Sequence, residues 1–229
     1  MTSPEPLTRE EFERLPRTPL GKRSALKPAV WRVETPGGPV VVKDAGQNGI
    51  ATRWLARWLL SRERSILERL GAVEGVPHLI STIRKDAIVL SLVPGRTLDA
   101  GMFRERPRAI FEQLLELTRR LHEVGVFHLD LHQRRNLLLD DDGRLHLVDF
   151  GAAVAPGPLA RALFGRALRH ADQQAAYKYM ARFAPEGLTD EEARLVLRHR
   201  RIRRLWPFSP HSRREGRAAR GRLNAGPRV

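Results

Sequence analysis

An α+β fold, with strands gathered early in the chain and helices late, is what the sequence predicts, on three observations. Extended patterns dominate from Gly21 to Asp44 and return at Ala87–Val93, while helical periodicity fills Ala51–Leu70 and Pro107–Val124. From His128 to Gly151, polar islands are separated by two short apolar runs. At 229 residues and 41% hydrophobic content, the chain can build one large domain or two small lobes, each with its own core. The absence of cysteine excludes a disulfide framework and a thiolate metal site, and it fits a reducing compartment. The first residues lack the basic-then-apolar pattern of a secretory signal, and no apolar run reaches bilayer length. The expectation is a soluble, cytoplasmic chain.

A net charge of +15 points to an acidic partner: nucleic acid, anionic lipid headgroups or a phosphorylated small substrate. The alternative is a general preference for arginine. No zinc-knuckle, helix-turn-helix or aromatic RNA-binding signature accompanies the charge, which argues against nucleic acid.

Taken in order, Thr8-Arg9-Glu10-Glu11 reads as a capping box, and with Phe12 and Leu15 it predicts a short amphipathic helix within an N-terminal extension, 1–20. Val30–Glu34 and Val40–Asp44 flank Pro36-Gly37-Gly38, a hairpin signal that leaves Lys43 near a strand end. In the following helix, Leu55, Leu59, Ile66 and Leu70 mark one face, and Glu63 falls within that stripe. A carboxylate facing a core is costly unless paired. Glu68 is the competing carboxylate but points off the stripe. Ala87–Val93 reads as a buried strand leading into Pro94-Gly95-Arg96, and Ile110, Leu114, Leu117 and Leu121 stripe a long helix closed by Gly125.

The stretch HLDLHQRRNLLLDDDGRLHLVDFG, His128–Gly151, organises the rest. Leu137–Leu139 and Leu145–Val148 flank Asp140-Asp141-Asp142-Gly143, whose Asp-Gly pair suits a tight turn. A hairpin there brings its open ends together, so Asp130 and Asn136 approach Asp149. Three oxygen-bearing side chains converging on one spot suit a hard divalent cation such as Mg²⁺ bridging phosphates.

This ordered set (His-x-Asp, an Asn, a hairpin, then Asp-Phe-Gly) resembles the catalytic loop and metal-binding segment of the protein-kinase-like phosphotransferases. Their Asn usually stands five residues after the Asp, a place held here by Arg135, so Asn136 reads as displaced by a one-residue insertion. The resemblance implies a two-lobed protein-kinase-like fold: a mainly β N-lobe at 21–93, a shortened, mainly α C-lobe at 94–210, and a basic, disordered tail at 211–229. It implies ATP and Mg²⁺ as cofactors. By that resemblance Lys43, fixed by Glu63, anchors the α- and β-phosphates, and Asp149 and Asn136 hold metal. Asp130 orients or deprotonates the acceptor hydroxyl, His132 contacts the γ-phosphate, and His128 supports the loop. The Gly-rich phosphate loop of the family is missing, since only Gly21 precedes the strands. Ala184-Pro185-Glu186 is read as a loop before a helix capped by Thr189. Asp172 and Lys178, on a helix expected from about Ala171 to Phe183, are read as structural or substrate-facing.

The short C-lobe, degenerate phosphate loop and basic surface are similar to the bacterial lipopolysaccharide-core kinases of heptose and Kdo and to Rio-type kinases. Asp130-Leu131-His132 also resembles sugar and antibiotic phosphotransferases. The expected activity is ATP-dependent phosphorylation of a hydroxyl on an envelope sugar or glycolipid. The alternatives are a Rio-like serine/threonine protein kinase and a nucleotide-binding pseudokinase module. The basic C-terminus, with five arginines in Arg198–Arg204 followed by Leu205-Trp206-Pro207-Phe208, suits an anionic membrane surface and a peripheral location.

Overall fold

The computed structural model describes residues 7–21, 24–203 and 213–224, with backbone alone for 199–203 and 213–216. The first lobe is an antiparallel five-stranded sheet of β1 (Arg17–Pro19), β2 (Ala29–Thr35), β3 (Gly38–Asp44), β4 (Leu79–Ile83) and β5 (Ala87–Ser91), in the order β1-β2-β3-β5-β4. The predicted hairpin forms: Thr35 pairs with Gly38, whose φ of +107° suits glycine, and the Thr35 hydroxyl donates to Gly38 O at 2.6 Å. Helix α1 (Arg9–Arg14) carries the Thr8–Glu11 capping box and drives Phe12 into a core with Val33, Val42, Ile83, Ala87 and Val89. It covers one face of the sheet. The other face packs against α2 (Ile50–Leu70), which buries Leu60, Ile66, Leu67 and Leu70.

The lobe starts earlier than residue 21, because Arg17–Pro19 pairs with Val33–Trp31. A three-residue edge strand bounded by prolines has no room for the alternation that reveals strands in a sequence.

In the second lobe a three-stranded sheet, β6 (Arg96–Thr97), β7 (Leu137–Leu139) and β8 (Leu145–Leu147), packs through β8 on α4 (Pro107–Glu123), which in turn packs on α3 (Ala100–Glu105) and α5 (Pro158–Phe183). Gly95, at φ +110°, lets the linker cross β7 closely; a Cβ there would lie 2.6 Å from Leu139 O. Helix α4 buries the predicted stripe Ile110, Leu114, Leu117 and Leu121. Helix α5 begins at Pro158, well before the expected Ala171, because residues 158–170 bury only Gly165 and so carry no core-facing stripe. A turn at Pro185–Gly187 leads to α6 (Asp190–Arg203), capped reciprocally by Thr189 and Glu192.

The tail at 211–229, expected to be disordered, contains helix α7 (Arg213–Asn224). Ala219 is fully buried, Leu223 packs on the same core, and Arg222 donates to Leu188 O at 3.0 Å. Two apolar positions four apart give this arginine-rich segment a narrow inner face, too small to stand out against its charge. Trp206-Pro207-Phe208, Arg204 and the end of the tail lie outside the described residues. No helix among the described residues is long and apolar enough to cross a membrane.

Candidate active site

The β7–β8 hairpin positions the site. Asp140 closes its turn, accepting from Gly143 N through its carbonyl and from Arg144 N through its carboxylate, and Gly143 takes the left-handed conformation at φ +79°. At the open end, Val148 N donates to Asn136 O at 3.0 Å, which sets Asn136 beside the start of Asp149-Phe150-Gly151. The Asn136 amide nitrogen donates to Asp130 O and to Asp130 Oδ2, both at 3.0 Å. The hairpin thus joins Asn136 to Asp130 directly and to the residue before Asp149.

From the first lobe, the Lys43 ammonium reaches Glu63 Oε1 at 2.6 Å and Asp149 Oδ1 at 2.9 Å, and Phe150 N donates to Glu63 Oε1 at 3.2 Å. Burial opposes the charge on Lys43, but the attraction of Glu63 and Asp149 outweighs it and holds the ammonium above its ordinary pKa. The same cation pulls the Asp149 carboxyl below the usual carboxylate range. One polar cluster thus ties β3, α2 and the end of β8 together. Glu68, the competing carboxylate, pairs with Arg64 on the helix surface.

Two residues of the loop take left-handed backbone conformations, Leu129 at φ +62° and Asp149 at φ +64°. For a leucine this costs about 1–3 kcal/mol unless its surroundings impose it. Asp172 imposes it: its two oxygens accept from His128 N at 2.9 Å and Leu129 N at 2.7 Å, and one also meets His122 Nε2 at 3.0 Å. Asp172 is buried, so these amides satisfy a carboxylate that would otherwise be costly there. His128 is fully buried, its ring against Phe150 and its Nε2 on Val148 O, and burial pushes its pKa down. Lys178 donates to His132 O at 3.0 Å. Of the two α5 residues read without preference, both brace the loop through its backbone.

Between the lobes lies a cleft of about 730 Å³. Val30, Val41 and Leu90 roof it, the linker Ser91–Gly95 forms one side, and Lys43, Asn136 and Asp149 line its inner end. Neither Asp130 nor His132 is on its wall; Asp130 joins it through Asn136. Arg135, the extra residue of the loop, does line it. The β1–β2 loop, where glycines were missing, is tied down by buried Asn48, whose amide donates to Ala25 O and Lys27 O.

The residues present fit a divalent cation. Asn136 Oδ1 is buried with no hydrogen-bond partner among the described residues, and Asp149, half-exposed, faces the same cleft. No cluster of three or more His, Cys, Asp or Glu suited to a metal occurs among the described residues. Asn136 and Asp149 would therefore need phosphate and water oxygens to complete a shell, which is how Mg²⁺ is commonly held.

Asp172 and Asn48 are the supporting residues that sequence reasoning did not place. Asp172 carried a usable signal, an acid at a helical position in phase with Ala175, Ala176 and Tyr179. Asn48 carried none.

The architecture is the two-lobed protein-kinase-like fold, and similar proteins agree. No family model matches the chain. It is similar to CBL-interacting protein kinase 29 of Oryza sativa subsp. japonica, 39% identical over 115 residues that cover 46% of this chain and 26% of that protein. It is also similar to CBL-interacting serine/threonine-protein kinase 13 of Arabidopsis thaliana, 34% identical over 142 residues, 59% of this chain and 28% of that one. Sperm motility kinase 3A of Mus musculus is 28% identical over 174 residues, 66% of this chain and 34% of that protein. The chain spans about a third or less of the length of these relatives. The relatives are named as protein kinases and do not extend to the finer resemblance to lipopolysaccharide-core and Rio-type kinases.

Proposed function

We propose that the protein is an ATP-dependent phosphotransferase acting on a hydroxyl group. The observation that carries this reading is the Lys43 ammonium held by Glu63 and Asp149 at the inner end of an interlobe cleft, next to the unpartnered Asn136 Oδ1. The apolar roof and the linker backbone suit the adenine ring, and Lys43 binds α- and β-phosphate oxygens. Asp149 and Asn136 would hold Mg²⁺, which would supply positive charge to the phosphates. Asp130 orients the acceptor hydroxyl and takes its proton as the acceptor oxygen bonds to the γ-phosphorus. The bond from that phosphorus to the β–γ bridging oxygen breaks, and ADP leaves. His132 is assigned to the γ-phosphate, with Asp172 fixing the loop from behind.

For the acceptor we retain an envelope sugar or glycolipid. Only residues 150–157 separate Asp149 from α5, which leaves the acceptor side open to a compact or lipid-borne hydroxyl. A protein serine or threonine is the second reading, favoured by relatives named as protein kinases. Turnover of labelled ATP, with lipid extract or proteome as acceptor, tests both. Loss of turnover in Asp149→Ala and Asp130→Ala is expected, and unchanged turnover in both would sink the phosphotransferase reading. Label in protein but not lipid selects the second acceptor. Absence of Mg²⁺-dependent thermal stabilisation by ATP would instead identify a pseudokinase module.

A further inference from the structure

Two exposed apolar stripes lie in helical stretches that carry arginine and no exposed carboxylate. On α2, Ile50, Trp54 and Trp58 follow one another at intervals of four, each more than half exposed, and the charged residues of those turns are Arg53, Arg57 and Arg62. On α5, Leu159, Leu163 and Phe164 are likewise more than half exposed, among Arg161, Arg166 and Arg169, with no acid before Asp172. The core does not use either stripe. Helix α2 already buries a separate face through Ala56, Leu60, Ile66, Leu67 and Leu70, so its tryptophans form a second apolar face, beyond what a surface helix of a globular protein needs.

The α2 stripe ends at a groove of about 540 Å³ beside the segment that leads into α5, and Arg69 of α2 and Arg161 of α5 both approach Gly125. Trp58, Arg62 and Arg69 stand on one wall and Ala153–Pro156 on the other, and α5 starts at Pro158. Arg62 crosses it, its guanidinium over the Trp58 ring and donating to Ala153 O at 3.3 Å. Arg57 pairs outside the helix with Asp86, at the turn between β4 and β5.

Charge complementarity selects the occupant. Indole rings settle at the headgroup layer, leucine, isoleucine and phenylalanine enter the acyl boundary beneath it, and arginines meet anionic headgroups. The exposed charges within the two stretches are all positive, and the apolar side chains among them are the tryptophans and aliphatic residues that enter a headgroup layer. We infer that the α2–α5 face seats the protein on an anionic lipid bilayer, independently of its catalytic reading and of the basic residues beyond α6.

Flotation of the full chain with vesicles tests this, comparing phosphatidylcholine alone with phosphatidylcholine containing phosphatidylglycerol. The chain should float with the anionic vesicles only. Trp54→Ser/Trp58→Ser and Leu159→Ser/Leu163→Ser should each weaken binding about tenfold or more at an unchanged thermal midpoint, these side chains being outside the core. Equal flotation of both variants and the parent would overturn the inference and assign lipid binding to the C-terminus. No binding to either vesicle, or a dimer in sedimentation that vanishes in the tryptophan variant, would overturn it in favour of a protein partner.

Discussion

The Lys43 ammonium and the Glu63 carboxylate meet at 2.6 Å, both buried, one from a strand and one from the helix behind it. Removing Glu63 leaves the buried ammonium with half-exposed Asp149 alone and Phe150 N without its acceptor. Glu63→Ala should destabilise the fold by about 3 kcal/mol in urea titration, a typical loss for a buried pair missing one member. The double variant Lys43→Met/Glu63→Leu should recover part of that loss. Strict additivity of the two single substitutions would show that the ammonium is not left stranded.

Asp172 acts on the loop through Leu129. Asp172→Ala should lower kcat while leaving the KM for ATP close to the parent value, since the cleft wall is untouched. Replacing Leu129 with glycine in that background should return about 1 kcal/mol of stability, because glycine accepts a positive φ without strain. If Leu129→Gly only destabilises further, the strain assigned to this residue is absent.

His128 gives the stability a pH dependence. Its folded pKa lies below the ordinary histidine value, so the unfolded chain binds the proton first as pH falls. The contribution of His128 is complete above about pH 6.5 and is lost progressively as pH falls toward its depressed folded value. Urea midpoints between neutral and mildly acid pH should therefore decline, and decline less steeply in His128→Gln. Some slope remains, because burial also lowers the His170 pKa. An identical slope in the variant would remove His128 from the account.

Arg135 lines the cleft and makes no hydrogen bond or ion pair among the described residues, so it is available to an anion. Arg135→Ala should raise the KM for ATP about tenfold with kcat nearly unchanged, the loss expected of one charge-assisted hydrogen bond. A selective fall in kcat would place Arg135 at the transferring phosphoryl group instead.

Much of the site was legible because its parts obey short-range rules. An Asp-Gly turn between leucine runs fixed the hairpin, a glutamate in an apolar stripe called for a partner, and the kinase resemblance pointed to Lys43. Asn136 stands six residues after Asp130 and donates to it across the turn at Arg134–Asn136. What stayed hidden depended on tertiary context. β1 is too short to show a pattern, Asn48 acts on backbone far away in sequence, and the first half of α5 turns its apolar side chains away from the core. Helix α7 was masked by its arginines, although one alanine and one leucine suffice to dock it.

The short path from Asp149 to α5 bears on control. From Phe150 to Gly165 the chain contains no serine, threonine or tyrosine, so no phosphate ester can be written onto this stretch. Lys43 already rests on both Glu63 and Asp149, with Phe150 N fastened to the same glutamate. Lys43, Glu63, Asp149 and Phe150 are thus already fastened to one another, and the stretch beside Asp149 offers no hydroxyl through which a phosphate could part them.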